Sequence, residues 1–540
     1  MAIHILSTYF ARNLWSRVGL TAITAALACA NLQAQQTQAM SGAAPASFAI
    51  RGFNIKGDNP LSQNDTSRIL AAFLRSDATL EVLQKATTAL ETAMRDAGFG
   101  LHRVSLPPQT MSDTVTLEIV HFTIGSITLD GNKLYSNSNI RASIPELQEG
   151  GAPNFSRLAV QTSIANENPG KQISISLRES TQADKIDAMV QVKESKPWNF
   201  SVALANSGSA SSGRDRTTFS AGYNNVLGLD HQFTAAYTTS LQRAQDVKQL
   251  GLSYRMPFYR ANSVLGLNFT QSDVLGNFGS FTSTGQGRTL GVNYIYHFSP
   301  EGGRRSYFNL GLDDKLFKAA VINGTAVGAD RRTRPLSLGY NARSESDNAS
   351  WSYNLDAAIN MNSGVANNLT AYQAEDTRIT TQAFRVFHAG ANYTSGFGKN
   401  WLWSLRSQVQ SSKNALLSGE QFGLGGVSSV RGAADRVITG DKGLSTSLEI
   451  STPELVVGLR SSAFVDAGWL QNNQVDGSNK LAQDKLASVG LGLRYASQNG
   501  LNINADYGRI ITGSALPLSV NSSAPQKGSE KLHLNLSVRF

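Results

Sequence analysis

Cysteine is almost missing from this chain. Cys29 is the only one in 540 residues, and it lies in an apolar run, Val18 to Ala30, that follows Arg12 and Arg17 and contains no acid. A basic start and an apolar stretch of ~7–15 residues make a secretory signal. Residues 1–34 are therefore expected to be a signal peptide, cleaved after Ala30 or Ala34; Ala26-Leu27-Ala28 is a poor lipobox for Cys29. Without Cys29 the mature chain has no disulfide and no thiolate chemistry. Long apolar runs are missing as well: no stretch approaches the ~20 residues of a membrane helix. Charge is sparse at 16% of residues, and the net +9 is spread singly rather than in Lys/Arg runs. That argues against a nucleic-acid partner and for a polar, basic interior surface.

Enzyme signatures are absent too. The chain has no Gly-x-Ser-x-Gly, His-Glu-x-x-His or Walker loop, and Gly285-Gln286-Gly287 followed by Gly291 misses the dinucleotide spacing. His102, His121, His231, His297, His388 and His533 are scattered, with no ligand at metal spacing. No catalytic residue, cofactor or metal is expected, and no nucleotide hydrolysis.

What the chain has is a repeat followed by an array. Residues 48–121 read strand, helix (63–75), helix (79–97), strand, strand. The second helix carries Leu80, Leu83, Leu90 and Met94 as one stripe. Residues 122–196 repeat the order, with helices near 137–148 and 154–167 and strands at 124–130, 172–177 and 185–192. Two copies of about 73 residues are two small α+β domains rather than a solenoid. From 198 helical stripes vanish and period-two alternation takes over, as in Leu290, Val292, Tyr294, Tyr296 and Phe298. Sixteen such stretches begin near residues 198, 216, 231, 247, 264, 289, 306, 335, 351, 383, 401, 444, 459, 486, 501 and 531. Connections after even stretches are short (298–303, 497–500), and those after odd ones are long and rich in Gly, Ser and Asn (276–288, 362–380, 511–530). Segment 197–540 thus reads as an all-β transmembrane barrel of about 16 antiparallel strands, with short turns on the periplasmic side and long loops outside.

The longest insertion, 411–443, ends in a Gly-rich tip, Gly423 to Gly443, far longer than a hairpin needs. Either it is a surface loop with a stray arginine, or it turns into the barrel and Arg431, between Val430 and Gly432, finds a carboxylate there. Parity in 463–469 supplies one. Ala463, Val465, Ala467 and Trp469 suit lipid, so Phe464, Asp466 and Gly468 face the lumen. A lumen is wet, which would weaken such a pair.

These segments resemble known ones. Gly125-x-Ile127, Gly131-Asn132, Asn168-Pro169 and Val192 to Trp198, within the β-α-α-β-β order, resemble the polypeptide-transport-associated (POTRA) domain. Val430-Arg431-Gly432, Phe464-x-Asp466-x-Gly468 and the loop exit Gly440-Asp441-x-Gly443 resemble the signature motifs of the two-partner secretion transporters, which export filamentous haemagglutinins and haemolysins. Ala433 stands where that family carries Phe or Tyr. The family often has a plug helix and linker before the first domain, and residues 35–47 are too few for both. Leu532, Leu534, Leu536, Val538 and Phe540 alternate to the end and resemble the C-terminal signal for barrel insertion. The resemblance implies an outer-membrane pore with two periplasmic domains that takes an unfolded exoprotein from the periplasm to the cell surface. Its implied partners are that cargo, outer-membrane lipid and the barrel assembly machinery. Alternatives are a barrel-assembly insertase of the same superfamily and a passive porin; the periplasmic modules argue against the porin.

Overall fold

A computed structural model of the chain describes residues 47–540 except 111, 209–211, 274–275, 279–280, 284–285, 323–324, 328 and 479. The expected signal peptide 1–34, Cys29, the segment 35–46 and Gly285 lie outside the described residues. The chain divides into two compact units. The first ends at Leu90 and resumes over Val104–Glu118; the second comprises Glu91–Arg103 and Ile119–Phe540.

In the first unit, Ser62 caps the helix Gln63–Ala71, its hydroxyl accepting from Asp65 N at 3.1 Å. The expected helix to residue 75 stops four residues earlier. Arg75–Ala78 is instead extended and pairs antiparallel with Phe48–Ile50. The helix Leu80–Asp96 buries Leu83, Ala86 and Leu90, whereas Leu80 is 59% exposed. Helical side chains tilt toward the N-terminus, so the first residue of the stripe overhangs the helix end.

In the second unit, Lys185–Glu194 is the centre of a three-stranded sheet. It runs parallel to Thr123–Asp130 and antiparallel to the edge strand Lys171–Glu179. The helices Asn137–Ser143 and Phe155–Ala165 cover one face, with Ile140, Leu158 and Ile164 packed on Ile124, Ile173 and Val190. Trp198 then opens the barrel.

Each of the sixteen alternating stretches is a strand of one closed antiparallel barrel. The last, Glu530–Arg539, pairs with the first, Trp198–Ala205, through Asn535↔Ala205 to Arg539↔Ser201. The eighth strand is interrupted at Arg334, between Arg331–Thr333 and Pro335–Glu345. There Arg334 N donates to Asn360 Oδ1 at 2.6 Å, and Pro335 has no N–H to give a neighbour. Alternation sorts the two faces: Val465 and Leu448 are exposed on the outside, while Phe464 and Asp466 are buried inside. The end carrying the short turns, such as 497–500, is the end that meets the second α+β domain; the long connections lie at the other end.

The longest connection is 412–441, not 411–443. Ser411 belongs to the strand Trp401–Ser411, and Lys442 and Gly443 open Lys442–Ser451, with Gly443 paired to Gln410. Within it, Phe422–Leu424 and Ile438–Gly440 form a small antiparallel ribbon that presents residues 425–437 as its tip.

Candidate functional site: an arginine seated in the barrel lumen

The wall of the site follows from strand register. Asp466, on the strand Leu459–Gln471, lies opposite Ser447, and Phe464 lies opposite Glu449. Two strands further round, Asp506 on Leu501–Thr512 lies opposite His533 on the last strand. All six point inward on the same barrel wall, because each shares the parity opposite to its lipid-facing neighbours.

The loop tip brings Arg431 to this wall. Its backbone N–H and Nε both donate to Asp466 Oδ2, at 3.0 and 2.8 Å, and Nη2 donates to Asp466 Oδ1 at 2.8 Å. Nη2 also donates to Ser447 Oγ at 2.9 Å. Nη1 donates to Glu449 Oε2 at 2.6 Å and to Asp506 Oδ1 at 3.3 Å. The guanidinium carbon sits 3.3 Å from the centre of the Phe464 ring, a cation–π contact beneath a bidentate ion pair. Sequence reasoning offered one carboxylate; the structure gathers three around this arginine, with Arg494 Nη2 on Asp506 at 2.6 Å as the second cation. The Arg431 and Asp466 side chains are 3% and 0% exposed, while Glu449, at 18%, and Arg494, at 33%, are more open.

Two glycines make room for this. Gly432 has φ +93°, and a Cβ there would lie 2.8 Å from Gly508 O; its N–H donates to His533 Nε2 at 3.1 Å. Such a backbone disfavours any side chain. Gly468 leaves the space that Leu424 of the loop fills, since a Cβ would come within 2.4 Å of that side chain. Val430 and Ala433 are buried with Leu424, Ile438, Leu470 and Ile510. Ala433, where the motif carries an aromatic residue, is thus part of this packing.

The loop exit is a second buried hub. Gly440 closes the ribbon opposite Phe422, and that ring lies against Gly443. Asp441, fully buried, accepts from Arg378 Nη1 at 2.9 Å, Leu416 N at 2.9 Å, Gln421 Nε2 at 3.0 Å and Asn473 N at 2.8 Å. Arg378 comes from a different long loop and also grips Asp376. Glu449, Asp506, Ser447, His533 and Arg378 were all missed by sequence reasoning. Inward parity could have flagged the first four; nothing local marks Arg378. Leu536 and Val538 pair with Leu204 and Val202 at the barrel seam, and Phe540 is 71% exposed beyond it. Among the described residues no cluster of His, Cys, Asp or Glu has metal-site geometry.

Residues 184–495 match the model of the haemolysin secretion/activation protein ShlB/FhaC/HecB family. The chain belongs to this family. Residues 48–121 match the ShlB-type POTRA domain. The chain is 24% identical over 447 residues to the outer membrane transporter CdiB of Dickeya dadantii (strain 3937), covering 80% of this chain and 78% of that one. It is 21% identical over 462 residues to the heme/hemopexin transporter protein HuxB of Haemophilus influenzae (strain 86-028NP), covering 82% and 79%. Among solved structures, CdiB from Escherichia coli superposes with a TM-score of 0.73 at 18% identity, over 94% of this chain and 93% of that one. The family places this barrel in the outer membrane as a secretion transporter, with its N-terminal domains in the periplasm.

Proposed function

We propose that this chain is the pore of a two-partner secretion pair. The periplasmic domains bind an extended, unfolded exoprotein by strand addition, the chain threads through the lumen, and folding outside supplies direction without nucleotide hydrolysis. Arg431 and Asp466 lock the loop that shapes this path. The observation that carries the reading is the seated loop, fixed to one wall by Arg431 while a cavity of about 700 Å³ stays open beside it. Arg216, Asn392, Thr394, Arg406 and Asn535 help line this cavity. An extended residue needs roughly 150 Å³, from a rise of ~3.3 Å, a strand spacing of ~4.7 Å and a thickness of ~10 Å. The cavity therefore suits a short extended segment with the loop in place, and these polar side chains, set among apolar ones, offer partners to a chain that still carries its backbone groups unpaired.

The other partners are proposals of the same reading: outer-membrane lipid around the apolar band, and the barrel assembly machinery for the Leu536, Val538 and Phe540 terminus. Deleting the chain should remove one large exoprotein from the medium and leave other outer-membrane barrels at normal levels. Loss of those barrels instead would favour the insertase. Residues 48–196, made alone, should bind the unfolded N-terminal region of that exoprotein. No binding there, with binding by the full chain, would move recognition into the barrel.

A further inference from the structure

The segment Glu167-Asn168-Pro169-Gly170-Lys171 plays no part in the lumen site, yet it joins the second α+β domain to the barrel. Lys171 is completely buried, and its Nζ donates to Asp230 Oδ2 at 2.5 Å and to Asn139 Oδ1 at 2.8 Å. Asp230 belongs to the turn 227–230 between the second and third barrel strands, is 1% exposed, and has φ +61°. The Tyr259 hydroxyl, from the next short turn, donates to the same carboxylate oxygen at 2.8 Å. Asn139 Nδ2 donates to Gly228 O at 2.7 Å and Asn168 Nδ2 to Asn224 O at 2.8 Å. Glu167 meets Arg255 of the fourth strand. The domain's apolar core continues without a break onto Tyr259 and Val264 of the barrel.

Burial pulls the Lys171 ammonium toward its neutral form, and Asp230 opposes that pull. An apolar pair would hold such an interface as well or better, because desolvating two charges offsets most of their attraction. What the ion pair adds is direction. An apolar face can slide, whereas an ammonium with two fixed acceptors, inside a ring of amide bonds, cannot. Lys171 is also the first residue of the edge strand Lys171–Glu179.

We propose that Lys171 is a positioning residue: by pairing with Asp230 it fixes the start of the edge strand, whose outward groups at Lys171 and Ile173 are already taken by Asn168 and Asn166, against the barrel's periplasmic rim, so that a chain added to the edge beyond Ile173 is delivered at a set point of the mouth. This rests on the secretion reading above, and it names the residue that couples its two halves.

The test uses the full chain in the outer membrane with three variants: Lys171→Met, Asp230→Asn and the two together. The readouts are the exoprotein in the medium per heat-modifiable barrel, and cleavage by added protease in the 167–171 segment in opened cells. Each single change strands a buried partner and should cut secretion roughly tenfold or more while exposing the segment. The double variant, with no stranded charge, should recover most of both. Arg255→Gln, at the more exposed Glu167 contact, should give a milder form of the same phenotype with the fold intact. The proposal is overturned if the single variants secrete normally, if the segment opens without loss of secretion, or if the double variant is no better than the singles. If the unaltered chain secretes nothing, the secretion reading fails, while the protease comparison still decides whether the joint depends on this pair.

Discussion

Replacing Arg431 by alanine removes, in one step, a bidentate ion pair, bonds to Glu449, Asp506 and Ser447, and the contact with Phe464. It leaves Asp466 buried at 0% exposure on a wall with two further carboxylates, with Arg494 and the nearby Arg406 left to balance them. Breaking a buried pair costs ~3–5 kcal/mol, and the burial of both Arg431 and Asp466 keeps this one within that range. At ~4 kcal/mol the seated loop loses roughly a thousandfold in population. The strands do not depend on the loop, so heat-modifiable gel mobility should be unchanged while cargo secreted per folded barrel falls sharply. The carboxylates should rank by geometry. Asp466→Asn should cost most, because Asp466 takes three N–H groups from Arg431. Glu449→Gln, with one bond, should cost less. Asp506→Asn, at 3.3 Å and already paired with Arg494, should cost least. In the double variant Arg431→Ala with Asp466→Ala, removing the acid relieves the charge that the first change strands. The two penalties should therefore fall short of additivity by well over the ~0.5 kcal/mol expected of independent sites. The exchange Arg431→Asp with Asp466→Arg should restore little, because the new aspartate faces Glu449 and Asp506. Loop seating is read from protease protection of 423–437 in a urea series. Additive penalties, or normal secretion by both single variants, would refute the lock.

Three further outcomes follow. Gly432→Ala should unseat the tip by ~1–3 kcal/mol, since its φ of +93° and its approach to Gly508 both forbid a side chain; unchanged protease protection would contradict this. Asp441→Asn should loosen the outer loops around Arg378 by several kcal/mol, seen as new surface proteolysis near 376–380 with the Arg431 site still protected. A tag at Leu518 should be reached by antibody in intact cells and one at Val457 only after the membrane is opened; the reverse would invert the topology. Both residues are exposed, whereas the stretch 366–372 of the long connection 362–380 contains buried Asn367, Ala371 and Tyr372 and is a poorer place for a tag.

The barrel was legible because period-two alternation is a local signal that survives in every strand. Leu290, Val292, Tyr294 and Tyr296 are all lipid-facing, as their spacing demanded. Where an element depends on a distant partner, the signal weakens. Arg75–Ala78 carries no strand pattern of its own and is extended only because Phe48–Ile50 lies beside it. The interruption at Arg334 is likewise set by Asn360, 26 residues away.

The same distinction divides the site. Asp466 could be placed from its own strand, since Val465 and Trp469 must face lipid and Asp466 must then face inward. The same argument applies to Ser447, Glu449, Asp506 and His533, each inward on a strand whose other face is apolar. What parity cannot do is order strands around the wall at the height of the loop tip, so it yields a set of inward polar residues but not which of them share one arginine. Arg378 is harder still, because it lies in an irregular loop and meets Asp441 across 63 residues of sequence. Its pairing follows from how two long loops pack, and no spacing within either loop encodes that. A lumen acid on a strand is therefore readable from a single sequence. A loop-to-loop pair needs the fold, and for that reason Asp441 appeared at first only as a motif position and gained a physical role once its four donors were in place.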